Sequence, residues 1–335
     1  MVGRGGAVRT PAVGCKVTTY SIGRPIRVTH WLGAIALGLM WPVPAGAQSA
    51  LDHAPSAASE TTPFLSRHRT EIEQRVRAHR GVVGLTVLDP TTGERFEING
   101  DEQFPSASMV KVAVLVDVFE RVKDGTLKLV DPLSVLNIDR TAGSGVLQYL
   151  SLPKEITVWD AAYLMIAVSD NVATNVLLEK LSPRAVTARM ESYGFHHTRI
   201  FAKVNADASE SFDPDSSRAY GLGVTTPNEM AELFAMLYRG EAVEPDASAQ
   251  MLAMLSRQYY LIGIQRFLPP EVPVAHKTGS LERARNDCGI VYGPKRHFVI
   301  CLLTKENADA SWTYGNEAEM LISDVARLVY EEWHR

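Results

Sequence analysis

Apolar and polar positions follow two different periods along this chain, and the switches between them mark its elements. From Pro63 to His79 the apolar residues Phe64, Ile72 and Val76 recur at helical spacing against a charged opposite side, and Gly81 closes the run. Val82–Leu88 is nearly continuous in apolar residues. Asp89-Pro90-Thr91-Thr92-Gly93 is a turn, and Glu94–Asn99 completes a β-hairpin. An apolar run from Val112 continues a helix that starts near Ser108 and ends at Lys123, with Asp124-Gly125 as its stop. Residues 126–156 read as irregular, with Gly143-Ser144-Gly145 as a turn. Thr157 and Asp160 then have the spacing of a helix start, and the helix runs to Val168. Two more helices follow, through Asn175 to Leu181 and from Pro183 to Tyr193.

Residues 202–226 form a long polar connection, of the kind that in compact domains is usually functional. Helices are predicted at Pro227–Tyr238 and Asp246–Gln258, strands at Val272–Gly279, Gly289–Tyr292 and His297–Thr304, and a last helix at Gly315–Trp333. Strands at both ends with helices between predict an α+β fold. One antiparallel sheet of about five strands is assembled from both ends of the chain and flanked by the terminal helices. The sheet lobe comprises residues 63–107 and 260–335 and the all-helical lobe residues 108–259, with the chemistry in the cleft between them.

The amino terminus changes this picture. Residues 1–47 carry five basic residues and no acidic one, Trp31–Trp41 is a short apolar run, and Ala45-Gly46-Ala47 is a small-x-small cleavage pattern. This is the make-up of a secretory signal, and the expected location is periplasmic or secreted, with cleavage after Ala47. An uncleaved anchor is the alternative, although the run is shorter than the roughly 20 apolar residues a bilayer crossing needs. The charged region is long, which leaves a start near Val28 open. Residues 48–62 are Ala/Ser-rich and read as a flexible mature terminus, so the domain proper is 63–335. Without residues 1–47 the chain keeps 29 of its 34 basic residues against 38 acidic ones, a formal charge of −9, which argues against a nucleic-acid partner.

Cys15 lies in the leader, leaving Cys288 and Cys301. Gly293-Pro294-Lys295-Arg296 reads as a hairpin turn whose register sets these two cysteines opposite one another. Directly opposed strand positions are an uncommon disulfide geometry, so two buried thiols are preferred here to an oxidised pair. The histidines and cysteines show no zinc spacing, and no cofactor or metal is expected.

Three short motifs carry chemistry. In Ser108-x-x-Lys111 the i, i+3 spacing brings a hydroxyl and an amine to one face of a helix's first turn. A lysine among apolar residues loses its proton readily and becomes a base beside a nucleophile. Ser169-Asp170-Asn171 lies between two predicted helices, and Lys277-Thr278-Gly279 near the end of a strand. Each is ordinary alone. In this order and context the three form the set found in class A β-lactamases and penicillin-binding proteins.

The chain therefore resembles the class A β-lactamases and the serine hydrolases related to them, over nearly the whole mature length. Asn99–Pro105 resembles the family's approach to the nucleophile, Thr157–Asn171 its helix into the second motif, and Thr225-Thr226-Pro227 the end of its omega loop. The resemblance implies that Ser108 attacks a carbonyl and Lys111 takes its proton, directly at ~3.2 Å or across one water. It implies that Ser169 relays that proton to the departing nitrogen and that Asn171 binds a substrate amide. Lys277 keeps the site electropositive, Thr278 and Ser280 hydrogen-bond a carboxylate, Gly279 belongs to the same substrate-binding strand, and backbone N–H groups at Ser108 and Ser280 face the oxyanion. Asp170 is read as holding its loop. His276 should point away from Lys277 and pack on the sheet face.

Two departures are visible. The omega loop of the family carries a glutamate followed by a leucine–asparagine pair, and here Val204 falls at the glutamate, with Asp207, Glu210, Asp213 and Asp215 nearby. The segment Ser280–Asp287 is read as a long polar link, in which Arg283 and Arg285 either reach a substrate carboxylate or are solvated. The expectation is an exported, monomeric serine hydrolase of the class A type that opens small-molecule β-lactam amides through an acyl-Ser108 intermediate. The alternatives are a penicillin-binding or D-alanyl-D-alanine peptidase-like enzyme, an esterase, or a sensor that is acylated without turnover.

Overall fold

The computed structural model describes residues 64–334; the leader expected at 1–47, the flexible stretch at 48–62 and Pro63 lie outside the described residues. The first helix, α1 (Arg69–Ala78), buries Ile72 and Val76 and leads into the hairpin β1 (Val82–Leu88) and β2 (Arg95–Ile98). A two-residue strand, β3 (Phe104–Pro105), and a 3-10 turn at Ala107–Val110 then deliver the chain to α2 (Lys111–Lys123). The helix expected near Ser108 thus begins with that tighter turn, which holds Ser108. From Lys111 to Phe119 every residue of α2 is buried, as befits a helix apolar all round that runs through the centre of a core.

The helical part contains α3 (Val158–Ala167), α4 (Asn171–Leu181) and α5 (Pro183–Ser192). The start of α3 is the reciprocal cap read from the sequence: the Asp160 N–H donates to Thr157 Oγ1 and the Thr157 N–H to Asp160 Oδ2, both at 3.0 Å. The span 126–156 is less irregular than expected, because β4 (Pro132–Val135) pairs with β5 (Lys154–Thr157). These are four-residue strands 18 residues apart, too short and too distant to stand out as a pattern. The connection 202–226 likewise holds a helix, α6 (Pro214–Tyr220), capped by Asp213, whose carboxylate accepts the Ser216 N–H. It is framed by β6 (Arg199–Ile200) and β7 (Gly223–Thr225), and β7 pairs with both β3 and β6.

Helices α7 (Pro227–Arg239) and α8 (Pro245–Leu255) bring the chain to β8 (Val274–Leu281), β9 (Ala284–Tyr292), β10 (His297–Lys305) and α9 (Glu317–His334). The sheet order is β2-β1-β10-β9-β8, antiparallel throughout, so the two chain ends build one five-stranded sheet as expected. Period-2 alternation divides its residues between two cores. Phe298, Ile300 and Leu302 pack with α1 and α9, while Val299, Cys301 and Leu303 pack with α2 and the other helices. Each such side chain contributes roughly 1.5–3 kcal/mol by leaving water.

Strand β9 starts five residues earlier than the apolar pattern suggests, and the expected polar link is really a tight β8–β9 hairpin with Glu282-Arg283 at its tip. Its polar residues tolerate the sheet because each is bonded. Asn286 donates to Pro105 O at 2.8 Å and accepts the Thr304 N–H, and Asp287 accepts the Ile264 N–H and contacts His276 Nδ1 at 2.9 Å. His276 accordingly packs on the side opposite Lys277. The β9–β10 register sets Cys288 opposite Cys301, as the turn position implied. The two sulfurs lie in direct contact across the strands, with Cα atoms 4.0 Å apart.

Candidate active site

Ser108 sits in the 3-10 turn, half-buried, and lines a cavity of about 1090 Å³. Two features hold it there. Ala107, just before it, has φ +47°, a left-handed conformation that costs a non-glycine residue of order 1–3 kcal/mol and recurs at functional sites. Ser106 anchors the approach, its N–H donating to Gly223 O at 2.9 Å. On the other side β8, the edge strand of the sheet, lies directly against the turn. A Cβ on Gly279 would meet Ser106 O at 2.7 Å and Met109 N at 3.1 Å. That close approach explains the glycine after Lys277-Thr278.

The second motif is fixed just as firmly. Ser169 also has positive φ, +54°. Asp170 holds the surrounding loops: Oδ2 accepts the N–H groups of Val146 and Leu147 at 2.6 and 2.9 Å, and Oδ1 caps α4 through Ala173 N–H. Gly145 at φ +108° lies so close that a Cβ would come within 2.5 Å of Asp170 Cα. The Gly143-Ser144-Gly145 turn is therefore part of the site wall, a role the sequence reading did not give it. Asn171 donates one Nδ2 hydrogen to Ala142 O at 2.9 Å, which leaves its second N–H for a substrate amide.

The two lysines converge between these walls. Lys111 and Lys277 are both fully buried. Lys111 Nζ donates to Ser169 O at 2.7 Å and Asn171 Oδ1 at 2.9 Å, and lies 3.2 Å from Ser169 Oγ. Lys277 Nζ donates to Ser169 Oγ at 3.1 Å and to Thr278 O at 2.9 Å. Burial, then the charge of Lys277, hold the Lys111 amine well below the ordinary lysine range, against an opposing pull from Asp170. Burial brings Lys277 down to about 7, with Asp287 opposing. Among the described residues no direct hydrogen bond joins Lys111 to Ser108, and the amine bonds to Ser169 and Asn171.

This geometry suits a neutral Lys111. Two N–H bonds go to Ser169 O and Asn171 Oδ1, and the lone pair is left for a hydroxyl proton from Ser169, whose oxygen meanwhile accepts from Lys277. Ser108, Ser169, Asn171, Thr278 and Ser280 all line the same cavity, while Lys111, Lys277 and Gly279 form its buried backing.

The polar loop contributes Lys203, Val204 and Asn205 to the cavity but none of its acids. Asp207 and Asp213 cap turns, and Asp215 pairs with Arg218. Val204 is pinned by Asn175, which accepts its N–H at 2.7 Å and donates to its carbonyl at 3.1 Å. Among the described residues Glu319 is the one carboxylate lining the cavity, and it is ion-paired to Arg285 at 3.2 Å. Arg283 is a solvated turn charge, one of the two alternatives expected, while Arg285 fits neither. Arg285 is buried and donates to the carbonyls of Leu281, Ala284 and Ser311, and Arg283 donates to Asn307 O at 2.9 Å outside the cavity. Asn286 and Glu319 are site-shaping residues that sequence reasoning missed, since each is an isolated polar residue in an otherwise structural element. Among the described residues no group of three or more His, Cys, Asp or Glu is placed to hold a metal, and no helix is long and apolar enough to cross a membrane.

An edge strand bearing Lys-Thr-Gly, a serine on a helix-leading turn and a lysine–serine–lysine contact behind it define a class A β-lactamase-like serine enzyme on a β-lactamase/transpeptidase-like fold. The comparisons with known proteins agree. The chain belongs to the β-lactamase enzyme family, whose model matches residues 67–333. It is similar to β-lactamase CARB-4 of Pseudomonas aeruginosa, with 24% identity over 78% of this chain and 87% of the relative. Among solved structures it is similar to a β-lactamase from Sphaerobacter thermophilus, with a TM-score of 0.70 and 30% identity over 78% of this chain and 96% of the other. It is also similar to a protein described as PBP-A, with a TM-score of 0.69 and 26% identity over 80% and 96%.

Proposed function

We propose that this protein is an exported serine hydrolase that acts as a monomer on small-molecule β-lactams through an acyl-Ser108 intermediate. The observation that carries this reading is the sharing of Ser169 Oγ between two buried lysines beside a half-exposed serine. Neutral Lys111 takes the Ser108 hydroxyl proton across one water as Oγ bonds to the lactam carbonyl carbon. As the C–N bond breaks, the nitrogen takes the Ser169 hydroxyl proton, and the Lys111 ammonium returns one to Ser169. Thr278 and Ser280 hold the substrate carboxylate in front of an electropositive Lys277, Asn171 the amide on the acyl side, and backbone N–H groups at Ser108 and Ser280 the oxyanion. The basic, acid-free leader at 1–47 supports export.

Release of the acyl group is the slow step in this reading. The segment where the family carries its water-orienting glutamate presents Val204 and no carboxylate to the cavity. That observation favours a long-lived acyl-enzyme, the behaviour of a penicillin-binding protein, over rapid turnover. The test mixes the mature protein with a chromogenic cephalosporin and follows colour and intact mass together. A stoichiometric burst with a persistent adduct, both absent in Ser108→Ala, is the expected result. Fast steady hydrolysis would overturn slow release, and neither burst nor adduct would overturn acylation at Ser108.

A further inference from the structure

We propose that Trp312 and Tyr314 form an aromatic platform in the cavity that selects substrates bearing a flat aromatic substituent beside the carboxylate. This rests on the reading that β-lactams occupy the cavity. Both residues line it, and they are 69% and 72% exposed, unusual for large aromatic side chains inside a concave site.

Each ring already carries an arginine over one face. The Arg285 guanidinium lies 4.2 Å from the Trp312 ring centroid, and the Arg266 guanidinium 3.7 Å from that of Tyr314. Arg285 is itself clamped by the carbonyls of Leu281, Ala284 and Ser311, and Arg266 donates to Tyr314 O at 2.7 Å. The loop that presents the rings is stapled at both ends. Asp309 accepts the N–H groups of Ser311 and Glu317 at 2.9 Å, and Asn316 donates to Asp309 O and Ser311 O. The rings are therefore held before any ligand arrives, and stacking on them immobilises little that was free.

Position identifies the part of the substrate they meet. Ser280 is the register partner of Arg285, and Arg285 underlies Trp312, so the platform adjoins the Thr278–Ser280 wall proposed to hold the carboxylate. In a cephalosporin the ring substituent next to the carboxylate-bearing carbon projects from that side. A heteroaromatic group there can stack on the exposed ring faces, which favours it about tenfold over a methyl group.

The test separates this from acylation. Ser108→Ala protein is titrated calorimetrically with two cephalosporins that differ only in that substituent, phenyl-like or methyl. The expected result is about tenfold tighter binding of the aryl compound, lost in Ser108→Ala/Trp312→Ala and retained in Ser108→Ala/Trp312→Phe. Equal affinity for the two compounds, or an equal loss for both on removing Trp312, would overturn the platform. Intact mass of the wild-type protein with the methyl compound reports acylation independently. An aryl preference without an adduct would leave the platform standing and remove the acyl-Ser108 reading, and an adduct without a preference would do the reverse.

Discussion

Lys111 and Lys277 reach the same hydroxyl, with Nζ to Ser169 Oγ distances of 3.2 and 3.1 Å. Two like charges on one oxygen in a buried site repel strongly, so at most one is carried comfortably. The shared oxygen makes Ser169 the junction of any proton path between Ser108 and a leaving group. Ser169→Ala is expected to slow acylation about 10²–10⁴-fold, the usual range for losing a positioned proton-transfer group. Its backbone carbonyl would still accept from Lys111, so the fold should persist. Stopped-flow acylation and a urea melt check both halves. Acylation at the wild-type rate would remove Ser169 from the path.

The depressed lysines also shape stability against pH. The folded value of Lys277 is about 7, while in the unfolded chain it returns to the ordinary 10.5. Between these values the unfolded state holds a proton that the folded state lacks, so stability rises with pH across that window. One such lysine contributes a slope of about 1.4 kcal/mol per pH unit. Tyr193 and Tyr292, raised to about 12, act in the opposite sense only above their ordinary value of 10.0. Urea unfolding from pH 7.5 to 9.5 therefore isolates the lysines. Lys277→Met is expected to flatten the rise by about one lysine's slope, and identical slopes would show that Lys277 stays charged in the fold.

Much of this candidate site was legible because its residues sit at element junctions with their own local signals. The Thr157–Asp160 cap marked the helix that leads to Ser169, and the turn at Gly293–Arg296 set the β9–β10 register. What stayed hidden depends on partners far along the chain. Arg285, Asn286 and Asp287 read as a polar link because nothing local shows that Ser311 O, Pro105 O and the Ile264 N–H will satisfy them.

Gly279→Ala tests how tightly β8 must approach the nucleophile turn. The added methyl would meet backbone atoms of Ser106 and Met109 and the Ala107 side chain at 2.7, 3.1 and 3.2 Å, none of them a flexible end. Relief requires β8 to move away from Ser108, taking Lys277 with it. The expected cost is roughly 1–3 kcal/mol of stability, as for overpacking, together with a larger loss of acylation than of fold. Thermal melting and mass-adduct kinetics measured on the same sample decide it. A variant that melts lower but acylates normally would show that the close approach serves only packing.

The strongest test of slow release is Val204→Glu. Val204 lines the cavity, and both its N–H and its carbonyl are bonded to Asn175, so a new side chain is carried on a fixed backbone. Among the lining residues only Glu319 is acidic, and Arg285 already holds it. A second carboxylate facing the acylated serine can orient water and accept its proton, a contribution in the range of 10²–10⁴-fold when well placed. At an unoptimised position a shortening of the adduct lifetime by at least about tenfold is expected, with acylation little changed because Lys111 and Ser169 are untouched. Val204→Gln matches the size without the basicity and should leave the lifetime long. Time-resolved intact mass after a penicillin pulse reads all three proteins. Equal lifetimes in the Val204 and Glu variants would place the water-activating group elsewhere in the cavity.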